Sequence, residues 1–462
     1  MFGHEFERWE QPQGPVVQQV DPARIETAAH LAYEKMRAMN VEKDVLVWPH
    51  RGETHRLLIE VFDFANGVEE RWALDETGTA LTKFDTPFVA FLKGLHIHLH
   101  LPRTYGLIVV GLSGVALLGA IFSGLLAHPR IFKDAFSLRI GGAKRLQEAD
   151  IHNRLSVWGL PFHIVISLTG AVLGLFVLTL GVLAMVVFDG DVGKARSLVT
   201  GPPVVKNATP APLPPVAEPL DRLLRETPGS HLERLRIIDA GTEGQQLQLW
   251  ISTPGHLTGG NRYYFDGSGV QTGFRDYASG AFGSQLISAL STLHFGWYGG
   301  APLKITYGIL GLALTVVTVS GVSIWIARRR ERGRPVPGLH KVWLSVVWGQ
   351  PIALGVTAST ALTTPHAPLL TIYLAVTVGA LAPATAPMAP ERLASLLRAT
   401  TAGVLAATAA AHAVVWSTRI VDPMAGILDL GLLGGAAAIA VPTLLVRRTN
   451  TAPSLSTGQA AG

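Results

Sequence analysis

Long apolar runs alternate with polar stretches along this chain, and this pattern predicts an α-helical integral membrane protein. A membrane-spanning helix needs about 20 mostly apolar residues. Seven runs reach that length, and the last four are rich in alanine. They are Tyr105–Ala127, Leu160–Phe188, Leu303–Ala327, Trp343–Leu362, Leu369–Ala389, Leu393–Trp416 and Met424–Val446.

Basic residues between the apolar runs predict the orientation in the membrane. Arginine and lysine cluster in 128–154, in 328–341 and at Arg447 and Arg448. If seven spans alternate in direction, all three clusters fall on one side, and the positive-inside rule makes that side the cytoplasm. The C-terminus is then cytoplasmic, whereas the N-terminal segment and the segment 189–300 lie outside.

The N-terminal segment is polar for about a hundred residues and contains no apolar run that could direct its export. We therefore expect a further helix upstream of the chain. The opening Phe2–Trp9, FGHEFERW, fits the junction that follows such a helix.

The two outside segments each predict a small α+β domain built on the same plan. The first has a helical pattern and three strand patterns: Pro22–Met39, then Val45–Pro49, Arg56–Phe64 and Glu70–Leu74. The second follows a proline-rich linker, Gly201–Pro219, and has a helix and three strands: Leu220–Arg225, then Leu232–Ile238, Gln246–Ile251 and Arg262–Phe265.

An internal repeat links each domain to the span that follows it. The sequence RWALDETG at Arg71–Gly78 parallels RYYFDGSG at Arg262–Gly269. Each copy leads to a histidine-bearing stretch before a span: LHIHLHLP begins at Leu95, and LHFGWYGG begins at Leu293. The predicted organisation is therefore domain 1–103, spans with a basic loop 104–188, domain 189–300, span and loop 301–341, four C-terminal spans 342–448, and a disordered tail 449–462.

Composition narrows the chemistry further. The chain has 462 residues, 48% hydrophobic and 15% charged, with a net charge of +5 that we assign to the cytoplasmic loops rather than to nucleic-acid binding. Because there is no cysteine, disulfides, thiolate catalysis, cysteine-ligated iron–sulfur clusters and c-type haem attachment are excluded. Histidine is the remaining candidate ligand for a redox cofactor.

The histidines near the strong spans form two groups. One group lies near the outer ends of spans: His96, His98, His100 and His294. The other group lies near the cytoplasmic ends of spans: His128, His152 and His163. On one continuous helix, His152 and His163 would share a face about 16 Å apart. Two stacked b-type haems in a helix bundle need such tiers of axial histidines. We expect His294 with His96 or His100 at the outer haem, and His163 with His152 or His128 at the inner one.

Other interpretations of these histidines stay open at this stage. On a strand, His96, His98 and His100 would point the same way and could bind copper or zinc. His128 could simply end a span, and His152 could be an ordinary interfacial residue. His412, in a weakly apolar alanine-rich run, is expected to be a buried polar residue with satisfied hydrogen bonds. No nucleotide-binding glycine pattern occurs.

The stretch from Leu95 to Leu175 closely resembles the PepSY-associated transmembrane family of iron-regulated membrane proteins. The matching pieces are LHIHLHLP, SGLLAHPRIFKDAFSLR and ADIHNRLSVWGLPFHIVISLTGA, and the segment Leu293–Arg330 with SGVSIWIARRR resembles a later part of the family. The outside segments resemble PepSY domains, and the C-terminal spans resemble an extension found in one branch. Family members begin with a helix that is absent here.

The resemblance implies a bacterial inner-membrane di-haem reductase of ferric siderophores, with periplasmic PepSY domains and haem ligands at positions matching His96, His128, His152, His163 and His294. Its partners would be an iron complex outside and an electron donor such as a quinol or a membrane redox protein. The alternative is a non-enzymatic PepSY membrane protein that binds a partner, a peptide or a metal. A transporter of an iron complex is the third hypothesis.

Overall fold

A computed structural model gives the fold of the chain. It describes residues 2–15, 17, 20–41, 44–49, 56–63, 68–75, 77–128, 130–136, 144–202, 204, 206–253, 257–280, 282–296, 298–417 and 422–451. Within these residues, an α+β region with one large antiparallel sheet adjoins a set of long apolar helices.

The two predicted domains share a single eight-stranded sheet. The first contributes β1 Val45–Trp48, β2 Leu58–Asp63, β3 Val68–Leu74 and β4 Leu81–Lys83; the second contributes β5 His231–Ile238, β6 Gln246–Ser252, β7 Asn261–Phe265 and β8 Gln271–Arg275. The strand order is β4-β3-β2-β1-β5-β6-β7-β8, with Val47 opposite Leu235 where the two halves meet. This mirrored order is what two copies of one hairpin plan give when they pair by their first strands.

The sheet packs one face against two helices to form the main core. These helices are α2, Pro22–Ala38, and α10, Ala217–Glu226. The side chain of Asp21 accepts a hydrogen bond from the Arg24 amide (2.8 Å) and so caps α2. The alternating residues of β1, β5 and β6 that face these helices are fully buried, and they form one continuous cluster with the apolar faces of α2 and α10.

The repeat continues beyond the sheet. After each half comes a short helix and then a long one: α3 Pro87–His98 and α4 Arg103–Ala127 in the first copy, α11 Phe282–Phe295 and α12 Gly300–Glu331 in the second. The turns after β3 and β7 are also equivalent. Asp75 accepts hydrogen bonds from the amides of Thr79 and Ala80, and Asp266 accepts them from the amides of Ser268 and Val270.

Between the two copies lies a broken helical segment. It comprises α5 Ile131–Asp134, α6 Lys144–Trp158, α7 Leu160–Gly174, α8 Phe176–Val187 and α9 Val192–Thr200. Helices α4 and α7 approach closely through small residues, since a Cβ on Gly111 would lie 2.7 Å from the Leu175 side chain. The run predicted from Leu160 to Phe188 corresponds to α7 and α8, which are interrupted only at Leu175.

The remaining helices form a C-terminal bundle with the first helix. The bundle comprises α13 Pro337–Thr363, α14 Leu369–Gly379, a 3-10 turn Ala382–Thr385, α15 Pro390–Val415 and α16 Pro423–Thr451; α1 spans Gly3–Glu10. Trp9 of α1 is buried in one apolar cluster with residues of α3, α13, α14 and α16. Helix α16 extends to Thr451, within the predicted tail 449–462, and the rest of that tail lies outside the described residues.

Five of the described helices are long and apolar enough to cross a membrane, or six if the bent pair α6–α7 counts as one span. They are α4, α12, α13, α15 and the part of α16 that runs to Val441. The seven predicted runs thus correspond to apolar helices, but two of them are bent or short in the structure. The chain is a multi-pass helical protein with an attached sheet.

Candidate functional site

The repeat brings two of the predicted histidines together. His96 lies near the end of α3, and His294 lies at the equivalent place near the end of α11. Their ring centroids are 6.1 Å apart, and the ring planes are inclined by 27°. Two imidazoles that bind one metal from opposite sides, each through a nitrogen at about 2 Å, place their ring centroids roughly 6 Å apart. The centroid distance between His96 and His294 agrees with the distance in that arrangement.

Residues of α7 orient the ring of His294. Nδ1 of His294 lies 3.0 Å from Oγ1 of Thr169, and the ring also forms a hydrogen bond with the backbone of Ile166. Burial, together with the neighbouring His96, lowers the pKa of His294 to about 4. Desolvation also lowers the pKa of His96. Both rings are neutral near pH 7, the state in which imidazole binds a metal.

An open apolar cavity of about 430 Å³ adjoins His96. Its lining is mainly aliphatic: Leu92, Leu95, Leu99, Val110, Ser113 and Leu354. A flat, largely apolar cofactor such as a porphyrin needs this type of surface beside its axial ligands. Gly170 also keeps α7 close to the pair, because a Cβ there would lie 3.3 Å from the His294 ring.

The structure assigns His100 to a different role from His96. His100 lies beyond the end of α3, at a φ of 54°, where its Nε2 is 2.9 Å from the Phe91 carbonyl and its ring stacks on Phe91 at 4.8 Å. It therefore closes the end of α3. Of the two candidates for the outer ligand, His96 is the one beside His294.

The alternative three-histidine metal site is not formed in the described part of the chain. The strand interpretation of His96, His98 and His100 is wrong, since His96 and His98 are on α3 and His100 is in the turn after it. The rings of His98 and His100 make an edge contact at 5.8 Å. Among the described residues, no group of three or more histidine or acidic side chains is placed to hold a metal ion.

His163 has the least satisfied ring of the inner group. The residue is 2% exposed, and its Nε2 is buried without a hydrogen-bond partner. A Cβ at Gly159 would lie 2.5 Å from this ring, so the glycine makes room for it. An unmet buried nitrogen costs free energy unless a ligand takes it. His163 therefore fits an axial ligand whose metal lies at this level.

His152 and His163 are not on one helical face, and that prediction is wrong. The chain bends by 68° at Gly159, between α6 and α7. Nδ1 of His152 lies 2.9 Å from Oγ of Ser320 on α12. His128 ends α4, and its carbonyl accepts the Ile131 amide at 2.9 Å. The described contacts bring neither residue to His163.

Two positions that serve the histidines escaped the sequence analysis. Thr169 orients His294, and Ser320 holds His152; their neighbours Gly170 and Gly321 leave space for the same two rings. Ser-Gly recurs before basic residues, at Ser123-Gly124 and Ser320-Gly321, but nothing in the sequence linked Ser320 to His152. His412, expected to be satisfied, is fully buried and has a hydrogen-bond partner at each ring nitrogen.

These features define a class: a multi-pass membrane protein in which two repeated α+β units share a sheet and each leads into a histidine-bearing helix. A family model described as the PepSY-associated TM region matches residues 1–328. The chain belongs to this family. Helices α13 to α16 lie beyond the matched residues.

One curated relative is an uncharacterized protein of Pseudomonas aeruginosa. It is 29% identical over 245 residues, which cover 48% of this chain and 60% of the relative. The chain thus spans less than two thirds of the length of this relative.

Proposed function

We propose that this protein is a b-haem transmembrane reductase that delivers electrons to ferric iron outside the cytoplasm, most simply siderophore-bound iron during iron uptake. The observation that carries the proposal is the repeat-related pair His96 and His294, at a spacing that suits two axial ligands. The family resemblance of the sequence supports it independently.

The outer level would be held by residues of this chain. His96 and His294 would supply the two axial nitrogens, Thr169 would fix the orientation of His294, and the cavity beside His96 would enclose the cofactor edge. When bound, haem b supplies a one-electron carrier. Ferric iron is reduced to ferrous iron by one electron, so an outer centre next to the sheet region is suitably placed for the final transfer.

The inner level would use His163. Its buried Nε2 has no protein partner, which is the state expected of a ligand position. The described contacts bring neither His152 nor His128 to His163, and both stay candidates for the second ligand of this level. Nδ1 of His152 lies 2.9 Å from Oγ of Ser320, in the half of α12 that ends in the basic residues.

The proposal keeps seven membrane crossings. One contact supports the crossing with the shortest helix, α14. Nζ of Lys341, in the first turns of α13, donates to the carbonyl of Ala386 at 2.9 Å. The segment Leu369–Thr385 therefore returns from the end of α13 to the level of its start. This return makes α14 with its 3-10 turn a crossing of the bundle despite its short helix.

Seven crossings with the basic loops inside would put the sheet in the periplasm and the C-terminus in the cytoplasm of a bacterium, with the chain in its inner membrane. A quinol or a membrane redox protein would donate the electrons, and the ferric complex would accept them.

The test is a single-turnover reaction of the purified full chain. The protein is expressed with haem supply, reduced with dithionite, freed of excess reductant and mixed with a ferric hydroxamate or ferric catecholate. The proposal expects the haem spectrum to reoxidise while a chromogenic chelator detects an equal amount of ferrous iron. A haem-replete preparation that stays reduced in the presence of both complexes would refute the reductase, and one without a Soret band would favour a PepSY protein that binds a partner.

A further inference from the structure

The contact between α1 and the C-terminal bundle contains a buried histidine–aspartate pair. Nδ1 of His412 on α15 lies 2.7 Å from Oδ2 of Asp429 on α16, and its Nε2 lies 2.7 Å from the carbonyl oxygen of Trp9. The other carboxylate oxygen of Asp429 accepts the Trp9 indole N–H at 2.9 Å. The Trp9 ring stacks on the His412 ring with centroids 4.8 Å apart.

The partners of His412 fix the number of protons in this network. A backbone carbonyl only accepts, so Nε2 of His412 must carry a hydrogen. The Nδ1–Asp429 contact then needs another hydrogen, either on the ring or on the carboxyl group. Neutral His412 with ionised Asp429 would set two lone pairs against each other at 2.7 Å. The closed arrangement therefore holds one proton more than the neutral ring and free carboxylate do.

Water has little access to the hydrogen bond between His412 and Asp429. His412 is fully buried, Trp9 is 2% exposed, and the Asp429 side chain is 14% exposed. An unpaired charge or lone pair in such a place is costly. The other charged and titratable groups of α1 have partners outside this network. His4 pairs with Glu7, which also pairs with Arg71 and Lys93, and Glu5 pairs with Lys304. Arg8 pairs with Asp422, which also lies 4.0 Å from Arg56, and Glu10 accepts hydrogen bonds from the amides of Phe88 and Val89.

We propose that His412 and Asp429 form a buried proton-binding site that fastens α1 to the C-terminal bundle. The bound proton joins His412 on α15 to Asp429 on α16 and so holds both side chains in place for their hydrogen bonds with Trp9. Loss of the proton removes the His412–Asp429 hydrogen bond and weakens these two contacts with Trp9. The site belongs to the helices beyond the family match and gives them a function: they hold α1 in a proton-dependent manner.

The proposed proton-binding site is connected to the histidine pair through Glu10 and α3. Trp9 is followed by Glu10, whose carboxylate accepts the Phe88 amide at 2.7 Å and the Val89 amide at 3.0 Å at the start of α3. His96 lies near the other end of α3. A displacement of α1 would therefore affect the helix that carries His96, although the proton-binding site itself requires no haem.

The test uses hydrogen exchange of the amides of α1 in the full chain, in lipid nanodiscs, under conditions where α1 recloses faster than its open amides exchange, so that protection reports the opening equilibrium. Above the pKa of about 7 of Glu10, and in a His4→Gln background that removes the other histidine of α1, the remaining pH dependence reports the His412 site. If opening releases one proton, protection of α1 in the wild type should fall about tenfold for each unit rise in pH. Asp429→Asn should remove this slope, because its amide can donate to Nδ1 of His412 and its oxygen can accept from Trp9 without any added proton.

The matched control is Asp422→Asn, which breaks the bidentate contact with Arg8 in the same interface. It should lower the protection of α1 by a constant factor and keep the slope. Equal slopes in the wild type and Asp429→Asn, or no slope in the wild type, would overturn the proposal.

If Asp429→Asn does not fold, a measurement on the wild type tests the proposal instead. The closed network requires either a doubly protonated imidazole, visible by nitrogen-15 NMR, or a protonated aspartic acid, visible by infrared spectroscopy. Either signal persisting into the pH range where free histidine is neutral supports the site, and the lack of both overturns it.

Discussion

Glu10 offers a quantitative prediction about pH and stability. Its carboxylate lies at the start of α3, where it accepts two amide hydrogen bonds, and burial raises its pKa from 4.5 to about 7 against the effect of those bonds. A higher pKa in the folded state means that the folded chain binds this proton more tightly than the unfolded chain does. The stabilisation is therefore complete below pH 4.5 and is lost as the pH rises to about 7.

The magnitude follows from the two pKa values. At about 1.4 kcal/mol for each tenfold change in proton binding, the rise corresponds to about 3 kcal/mol. Replacing Glu10 with glutamine removes this titration and one of two amide acceptors, a constant loss of about 1 kcal/mol. Relative to the variant, the wild type should thus lose about 3 kcal/mol between acidic and neutral pH, so that Glu10→Gln becomes the more stable form above neutrality.

The assay is thermal unfolding of both proteins in one detergent across this pH range, with the difference in midpoint as the readout. Glu218→Gln is the control, since that side chain is 72% exposed and its loss should leave the pH profile unchanged. Parallel pH profiles for the wild type and Glu10→Gln would refute the assignment of a raised pKa to Glu10.

Three further predictions concern the sheet, the helix contact and the histidine pair. Leu235→Ala in the shared core should lower the free energy of unfolding by about 2–5 kcal/mol and increase hydrogen exchange in both halves of the sheet together, while the half-exposed Leu257→Ala changes it by less than about 0.5 kcal/mol. Gly111→Leu should lower the thermal midpoint, because its side chain has no room between α4 and α7. Thr169→Val should weaken haem retention about 10- to 100-fold, measured by dilution and absorbance, since His294 loses its orienting partner.

Periodicity and internal similarity predicted much of this architecture. The repeat was visible in the paired motifs at Arg71 and Arg262, and the sheet shows why each motif recurs. The joining of β1 to β5 could not be predicted, because strand alternation specifies which face is buried but not which edges pair. The bend at Gly159 was also hidden, since an apolar run has the same composition whether the helix is straight or broken.

For the candidate site, too, the sequence predicted some residues, whereas others could be identified only from the fold. Residue type and position selected His96 and His294, but only the fold distinguishes His96 from His100, which differs in the left-handed turn that ends α3. Thr169 and Asp429 lie far from their histidine partners in the chain, 125 and 17 positions away, and carry no local pattern. Such contacts depend on how helices pack, which the sequence alone does not specify.

The central claim is that His96 and His294 hold a haem, and its most direct test is a haem count. The full chain and its His96→Ala, His294→Ala and His100→Ala variants are expressed with haem supply, and pyridine haemochrome content and reduced spectra are recorded. The account predicts that the first two substitutions each remove the same single haem, whereas His100→Ala keeps it. A wild type without haem, or equal haem content in all four proteins, would contradict it.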